Sequence, residues 1–374
     1  MVDFFSNLFK KKQAGSVLGI DIGSSAIKIV QLRQKGGKAV LETYGELALG
    51  PYAKVEIGQA TNLPTDKVVE ALSDLMKEKE VNITTNQCGV AIPFASSLMS
   101  LIEMPMLSYK QLSSMIPLEA RKYIPVPISE VTLDWSIIPK EEIKPQDDEE
   151  EHKKDELVKI PKTDVLLVAI HNETISRFQE IVRKTGLEAS FFEIEIFSTM
   201  RAVLNQDPEP VMIVDMGAAT TKLYILERGI VRTSHTINRG SQDITTTISK
   251  SMGISVRDAE LLKRSQGVLP QGGVDIRELV NLTLSYIFLE TNQVILNYQR
   301  KYGKTLSQVV LVGGGSALRG IAGLAQSNFQ IPVSAGNPFG KTEAPAFLEE
   351  ILKNTGPEFA VAVGLALRKL QEAN

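Results

Sequence analysis

Two carboxylates in this chain sit in the same small-residue setting. Asp21 ends an apolar run and is followed by Ile22-Gly23-Ser24-Ser25, while Asp215 ends another and is followed by Met216-Gly217-Ala218-Ala219-Thr220-Thr221. In each copy a second β-type run opens at a lysine, Lys28-Ile29-Val30 in the first and Lys222-Leu223-Tyr224-Ile225 in the second. Both read as hairpins with the same chemistry at their tips. Glycine lets successive backbone N–H groups aim at one point and leaves room for an anion, and Ser and Thr add hydroxyl donors. A carboxylate beside those donors would repel a bare phosphate, so an Asp belongs there when a divalent cation stands between them. Magnesium, which keeps several waters and bridges phosphate oxygens, suits that role. One Asp-x-Gly-Ser alone is also how an ordinary hairpin turn reads. Its repetition in matching contexts points to one phosphate site built twice.

Two further segments carry chemistry. Gly313-Gly314-Gly315-Ser316 ends the apolar run Val309-Val310-Leu311-Val312 and is expected to open a helix, so that bare backbone lies against a flat ring or a phosphate. Glu260, Lys263 and Arg264, spaced i, i+3, i+4, fall on one helical face. Taken alone, that trio is equally a solvent-facing set of ion pairs.

These residues need elements to position them. Strands are expected at 17–20, 27–32 and 40–49, an amphipathic helix at 65–80 and a strand at 88–93. A block of different character follows: a strand at 97–103, a helix at 108–123 with Ser108 as N-cap, the proline-broken exit Ile124-Pro125-Val126-Pro127-Ile128, strands at 131–138 and 165–170, and a helix at 173–184. The charge-dense stretch 140–162 reads as a solvated loop. Residues 191–204 read as a helix leading into the second hairpin, with helices beyond it at 241–251, 256–265, 275–302, 318–326 and 358–370.

At 374 residues the chain is long enough for two or more domains. A net charge of -3 gives no basic field, which argues against nucleic acid as a partner. A lone cysteine, Cys88, cannot form an internal disulfide, and three histidines do not assemble a zinc site. No apolar run is read as long enough to cross a bilayer, and no signal peptide is recognised, so a cytoplasmic protein is expected. Phe4, Phe5, Leu8 and Phe9 beside Lys10-Lys11-Lys12 read either as a membrane-surface contact or as a locally packed tail.

The order Asp21-x-Gly23-Ser24-x-x-x-Lys28, then Asp215-x-Gly217-x-x-Thr220-Thr221, then Gly313-Gly314-Gly315-Ser316-x-Leu318-x-x-Gly320 resembles the actin, hexokinase and heat-shock-chaperone ATPase superfamily. The resemblance spans nearly the whole chain. It implies an α/β, two-lobed actin-like (ribonuclease-H-like) fold with duplicated phosphate hairpins, binding ATP or ADP with Mg2+. By it, Asp21 and Asp215 flank the magnesium through water and Lys28 reaches the terminal phosphates. Gly23, Ser24 and Ser25 cradle phosphate from one side, and Gly217, Ala218, Ala219, Thr220 and Thr221 from the other. Glu260, Lys263 and Arg264 contact adenosine, Gly240 borders the ribose, and Gly313, Gly314, Gly315, Ser316 and Leu318 form the adenosine segment.

Within the superfamily, Glu119-Ala120-Arg121-Lys122-Tyr123-Ile124-Pro125-Val126-Pro127-Ile128-Ser129-Glu130-Val131 and Gly356-Pro357-Glu358-Phe359-Ala360-Val361-Ala362-Val363-Gly364-Leu365-Ala366 resemble the PilM family of type IV pilus machines, a relative of the FtsA family. That implies a tail to residue 15, subdomain 1A in three pieces (16–86, 187–209 and 345–374), 1C over 87–186, 2A over 210–240 and 305–344, and 2B over 241–304. It further implies a nucleotide-dependent scaffold, peripheral to the inner membrane through its partners. The expected partner is the cytoplasmic N-terminus of a PilN-like membrane protein, bound by 1C and its border with 1A; the pilus motor ATPases and further copies of the chain are additional candidates.

Hydrolysis needs a residue that positions the attacking water. By position Glu195 is the catalytic candidate; it reads equally as an acidic residue in a first helical turn. Binding with slow or negligible turnover is expected. An FtsA-like membrane-associated filament is the alternative function, disfavoured here because no amphipathic helix follows residue 370. A metabolite kinase would need a substrate base that the chain does not offer.

Overall fold

The computed structural model describes residues 15–138, 161–205, 208–269 and 275–372. The apolar and basic start (4–12) and most of the charged stretch (139–160) lie outside them. The chain divides into two compact units, Phe94–Phe178 being the smaller and the segments on either side of it together forming the larger.

The larger unit begins with an antiparallel meander, β1 (Val17–Ile22), β2 (Ala26–Lys35) and β3 (Lys38–Ala48), followed by α1 (Thr65–Lys77) and by β4 (Gln87–Ile92), which runs parallel to β1. Val68, Ala71, Leu72 and Leu75 form the buried stripe of α1, at the spacing a helix packed on one side requires. Residues 87–92, expected at the start of the inserted module, pair with β1 and so belong to this first sheet.

The smaller unit contains β5 (Ser97–Pro105), α2 (Tyr109–Ala120), β6 (Val131–Ile138) and β7 (Lys162–His171), in an antiparallel sheet ordered β5-β7-β6. Ser108 does start α2: Gln111 Oε1 accepts from its N–H at 3.1 Å and from its hydroxyl at 2.7 Å, so the Gln111 side chain reaches back to the N-cap as in a capping box. Leu112, Ile116 and Ala120 of α2 pack with Ile102, Val165 and Leu167, and Ile124 is drawn into the same core while Tyr123 stays exposed. Helix α3 (Asn172–Thr185) leads the chain out.

The segment expected as one helix at 191–204 begins as strand, over residues 191–194. β8 (Glu188–Ile194) pairs in parallel with β4, and α4 (Glu195–Val203) starts only afterwards. Short apolar runs do not distinguish strand from helix by period, and here sheet pairing decides. The first sheet is therefore ordered β3-β2-β1-β4-β8.

A second sheet repeats that plan: β9 (Val211–Met216), β10 (Thr221–Glu227) and β11 (Ile230–Ile237) form the meander, and α5 (Ser241–Met252), α6 (Val256–Gln266) and α7 (Arg277–Tyr302) follow. β12 (Gln308–Val312), α8 (Ile321–Phe329) and β13 (Val333–Ala335) complete the order β11-β10-β9-β12-β13, with the same mixture of antiparallel and parallel neighbours. By length and composition α7 is apolar enough to cross a membrane, which corrects the sequence expectation; Val280, Leu284, Ile287, Val294 and Ile295 of α7 lie in the core of the second lobe.

The chain then returns to the first sheet through α9 (Glu349–Thr355) and α10 (Ala360–Glu372). α10 lies against β1, β2, β4 and α4. A Cβ on Gly364 would fall on the Ser198 carbonyl of α4, and one on Gly19 of β1 would fall on the Ala362 carbonyl, so these elements meet backbone to backbone.

Candidate functional site

The two hairpins are copies in register as well as in sequence. Asp21 stands directly opposite Lys28 across β1 and β2, and Asp215 directly opposite Lys222 across β9 and β10. Residues directly opposite in an antiparallel pair share a face, so each hairpin presents one carboxylate and one ammonium together. The turns match too: Gly23 N–H donates to Ala26 O and Gly217 N–H to Thr220 O, both at 3.0 Å.

Both tips open on one cavity of about 400 Å³, within the range of small-molecule sites of roughly 300–1,000 Å³. Asp21, Gly23, Ser24, Ser25 and Lys28 line it from the first lobe, and Asp215, Gly217, Ala218, Ala219, Thr220 and Lys222 from the second. Glu195, at the first turn of α4, lines it as well, as do Glu260, Lys263, Arg264, Gly313, Gly314, Gly315 and Leu318. Three expected site residues stand behind this wall. Thr221 is buried with its hydroxyl donating to Arg239 O at 2.9 Å, and the Ser316 hydroxyl donates to Gly313 O at 2.7 Å. Gly240 supports the second turn from behind, its N–H held by Asp243 at 2.8 Å.

The glycine-rich segment departs from expectation in one respect. Gly314–Ala317 is a short 3-10 turn and the helix α8 begins only at Ile321. Gly313 has φ +80°, and a Cβ there would stand 2.5 Å from Asp215 Oδ1, so backbone alone fits beside that carboxylate.

Glu260 and Lys263 are committed to joining α5 to α6. The Glu260 carboxylate accepts from Thr245 Oγ1 at 2.6 Å, Lys263 Nζ at 2.6 Å and Arg264 Nε at 2.8 Å, and Lys263 also donates to the Thr245 hydroxyl at 2.9 Å. Burial alone would raise the Glu260 pKa; Lys263, Thr245 and Arg264 reverse it and hold the carboxylate below its usual range. Arg264 is the exposed member, its side chain 65% accessible.

Several contributors were not identified from sequence. Lys222 Nζ sits 2.7 Å from Glu195 and 3.6 Å from Asp215, and its spacing from Asp215 repeats that of Lys28 from Asp21. Lys28 faces Glu46 at 3.4 Å and Glu358 at 3.9 Å, residues brought from β3 and from the segment before α10. Thr61 and Gln242 join the two turns: Thr61 N–H donates to Ser24 O at 2.7 Å, Ala60 N–H to Gln242 Oε1 at 2.9 Å, and Gln242 N–H to Ala218 O at 3.0 Å.

Charge is concentrated and poorly solvated here. Burial, reinforced by the nearby Glu195, pushes Asp21 up to about 7 against the pull of Lys28 and Lys222. Burial also raises Asp215, with Lys222 opposing and Glu195 adding to the shift. Lys222 is raised in spite of burial, because Glu195 and Asp215 favour its charged form. Carboxylate oxygens from two lobes beside turns rich in N–H and hydroxyl donors have the chemistry to take a hydrated hard cation together with an oxyanion, although no three metal-ligating side chains gather among the described residues.

The chain is 24% identical over 227 residues to the cell division protein FtsA of Neisseria meningitidis serogroup B (strain ATCC BAA-335 / MC58), a match covering 54% of this chain and 53% of that one. The chain thus spans about half the length of the curated relatives it matches. Among solved structures, a PilM-PilN type IV pilus biogenesis complex superposes with a TM-score of 0.76 at 23% identity, covering 96% of this chain and 99% of that one. MreB 5 of Spiroplasma citri bound to AMPPNP superposes at 0.51 and 12% identity, covering 96% and 97%. The expected two-lobed actin-like fold is thereby shown. The family model of the type IV pilus assembly protein PilM matches residues 19–370, and the chain belongs to that family.

Proposed function

We propose that this chain binds ATP or ADP with Mg2+ between its two hairpins and serves as a nucleotide-dependent scaffold of the type IV pilus assembly machine. The observation that carries the binding is the pair of register-matched Asp–Lys hairpins opening on one cavity whose third wall is bare glycine backbone. The turns at Gly23–Ser25 and Gly217–Thr220 cradle the phosphates. Asp21 and Asp215 would hold the magnesium, which would neutralise phosphate charge. Leu318 and the Arg264 guanidinium, which both line the cavity, would flank the adenosine. Glu195, on the cavity wall, is the residue able to orient a water, and its ion pair with Lys222 suits tight binding with slow turnover.

Family membership and the likeness to a PilM-PilN complex support a PilN-like N-terminal peptide as partner, with the small unit around Tyr123–Ile128 as its receptor. Motor ATPases and further copies of the chain are secondary candidates, and a cytoplasmic site of action at the inner membrane follows from such partners. Titrating a PilN-type N-terminal peptide into the protein with MgATP, MgADP or no nucleotide tests the reading. Peptide affinity should differ between nucleotide states in the wild type, and Asp215→Ala should lose magnesium-dependent nucleotide binding and with it that difference. An Asp215→Ala protein that keeps its affinity for MgATP overturns the site, and a peptide that binds in no state overturns the partner.

A further inference from the structure

Each hairpin contributes an ammonium as well as a carboxylate, yet the two lysines are employed differently. Lys28 is directed to Glu46 and Glu358, both part of the first lobe. Lys222 lies between Glu195 of the first lobe and Asp215 of the second, with its side chain only 16% exposed. It also lines the cavity in which both phosphate turns stand. Thr221 and Leu223, both fully buried, flank it on β10, so its side chain leaves from the opposite face of the strand.

Six carboxylates line the cavity, and Asp21, Asp215 and Glu195 are the three that act on Lys222; Glu46, Glu260 and Glu358 are the others, and Lys28, Lys222, Lys263 and Arg264 are the cations. A polyphosphate entering beside three carboxylates needs cationic charge near the carboxylates themselves. A lysine ammonium has three donors, enough to keep Glu195 and still meet a phosphate oxygen. We propose, on the basis of the nucleotide-binding reading above, that Lys222 is a built-in counter-cation of the phosphate site, shared between Glu195, Asp215 and the nucleotide, and that it relieves part of the site's dependence on a divalent metal. A purely structural ion pair would stabilise the lobes without altering how nucleotide affinity responds to magnesium.

That difference defines the test. Affinity for a fluorescent ATP analogue is measured with magnesium in excess and again with EDTA, for wild type, Lys222→Met and Lys222→Arg, alongside thermal melting of each protein. The wild type should bind measurably in EDTA. Lys222→Met should lose at least about tenfold in EDTA, the scale of a charge-assisted hydrogen bond, and much less in magnesium. Lys222→Arg should restore the wild-type ratio. Equal losses of Lys222→Met in both media, no loss in either, or a wild type that does not bind in EDTA would each overturn the role of Lys222 while leaving nucleotide binding intact. Absence of wild-type binding with magnesium present would remove both readings.

Discussion

Asp21 carries a penalty that can be measured in the absence of any ligand. Its pKa of about 7, against 3.8 for a free side chain, means that the folded protein holds this proton more tightly than the unfolded chain does. Stability from this group is therefore full below about pH 4 and is lost as pH rises through 7. Roughly three pKa units at about 1.4 kcal/mol each set an upper bound of about 4 kcal/mol on the cost of ionised Asp21 at pH 8. Because the residue is half-buried and one side meets the cavity, solvent screening brings the expected value nearer 2 kcal/mol. Asp21→Asn keeps the shape and removes the charge. In nucleotide-free protein it should raise the melting temperature by roughly 4 °C at pH 8 and by almost nothing at pH 5, where Asp21 is already protonated. With MgATP the order should reverse, since the variant forfeits its hold on the metal. Differential scanning fluorimetry at the two pH values decides the matter. A difference independent of pH, or a variant less stable than wild type at pH 8 without ligand, would refute the account of Asp21 as a strained carboxylate awaiting a cation.

Two other substitutions probe the framework. Gly364→Ala would set its methyl group 2.5 Å from the Ser198 carbonyl carbon, and the overpacking should cost about 3 kcal/mol or more, read as a loss of soluble yield and a lowered melting temperature. Glu260→Gln leaves Lys263 buried without its counter-charge; a loss of about 3 kcal/mol in urea unfolding is expected, and wild-type stability would contradict the network described for α5 and α6.

The site was legible where chemistry is written into local spacing. An Asp, a small-residue turn and a lysine starting the next strand define a hairpin tip wherever they occur, and the repeat revealed that there are two. The same spacing contained Lys222, although only the lysine of the first copy was assigned a role. Which side chain enters the cavity was harder to read. Thr220 and Thr221 are adjacent and chemically alike, but Thr220 closes the turn and lines the cavity while Thr221 opens β10 with its hydroxyl bonded to Arg239 O inside the lobe. Glu46 and Glu358 escaped notice because no local pattern connects them to Lys28; only the folded sheet and the returning C-terminal segment do. The strand at 188–194 was misread for a related reason, since its identity comes from pairing with β4, about a hundred residues earlier.

The backbone-to-backbone seating of α10 on β1 and α4 also dictates an order of events during synthesis. The second lobe is built from one continuous stretch, β9 through β13, and can complete its sheet as soon as that stretch is available. The first lobe cannot, because the face of β1 at Gly19 lacks its neighbour until Ala362 has been made, almost the whole described chain later. On a ribosome that adds residues one at a time and lets domains fold as units, the lobe that holds β1 is thus finished after the lobe that holds β9. Its open apolar strands must wait for α10, and agents that shield nascent chains should be needed most by that lobe.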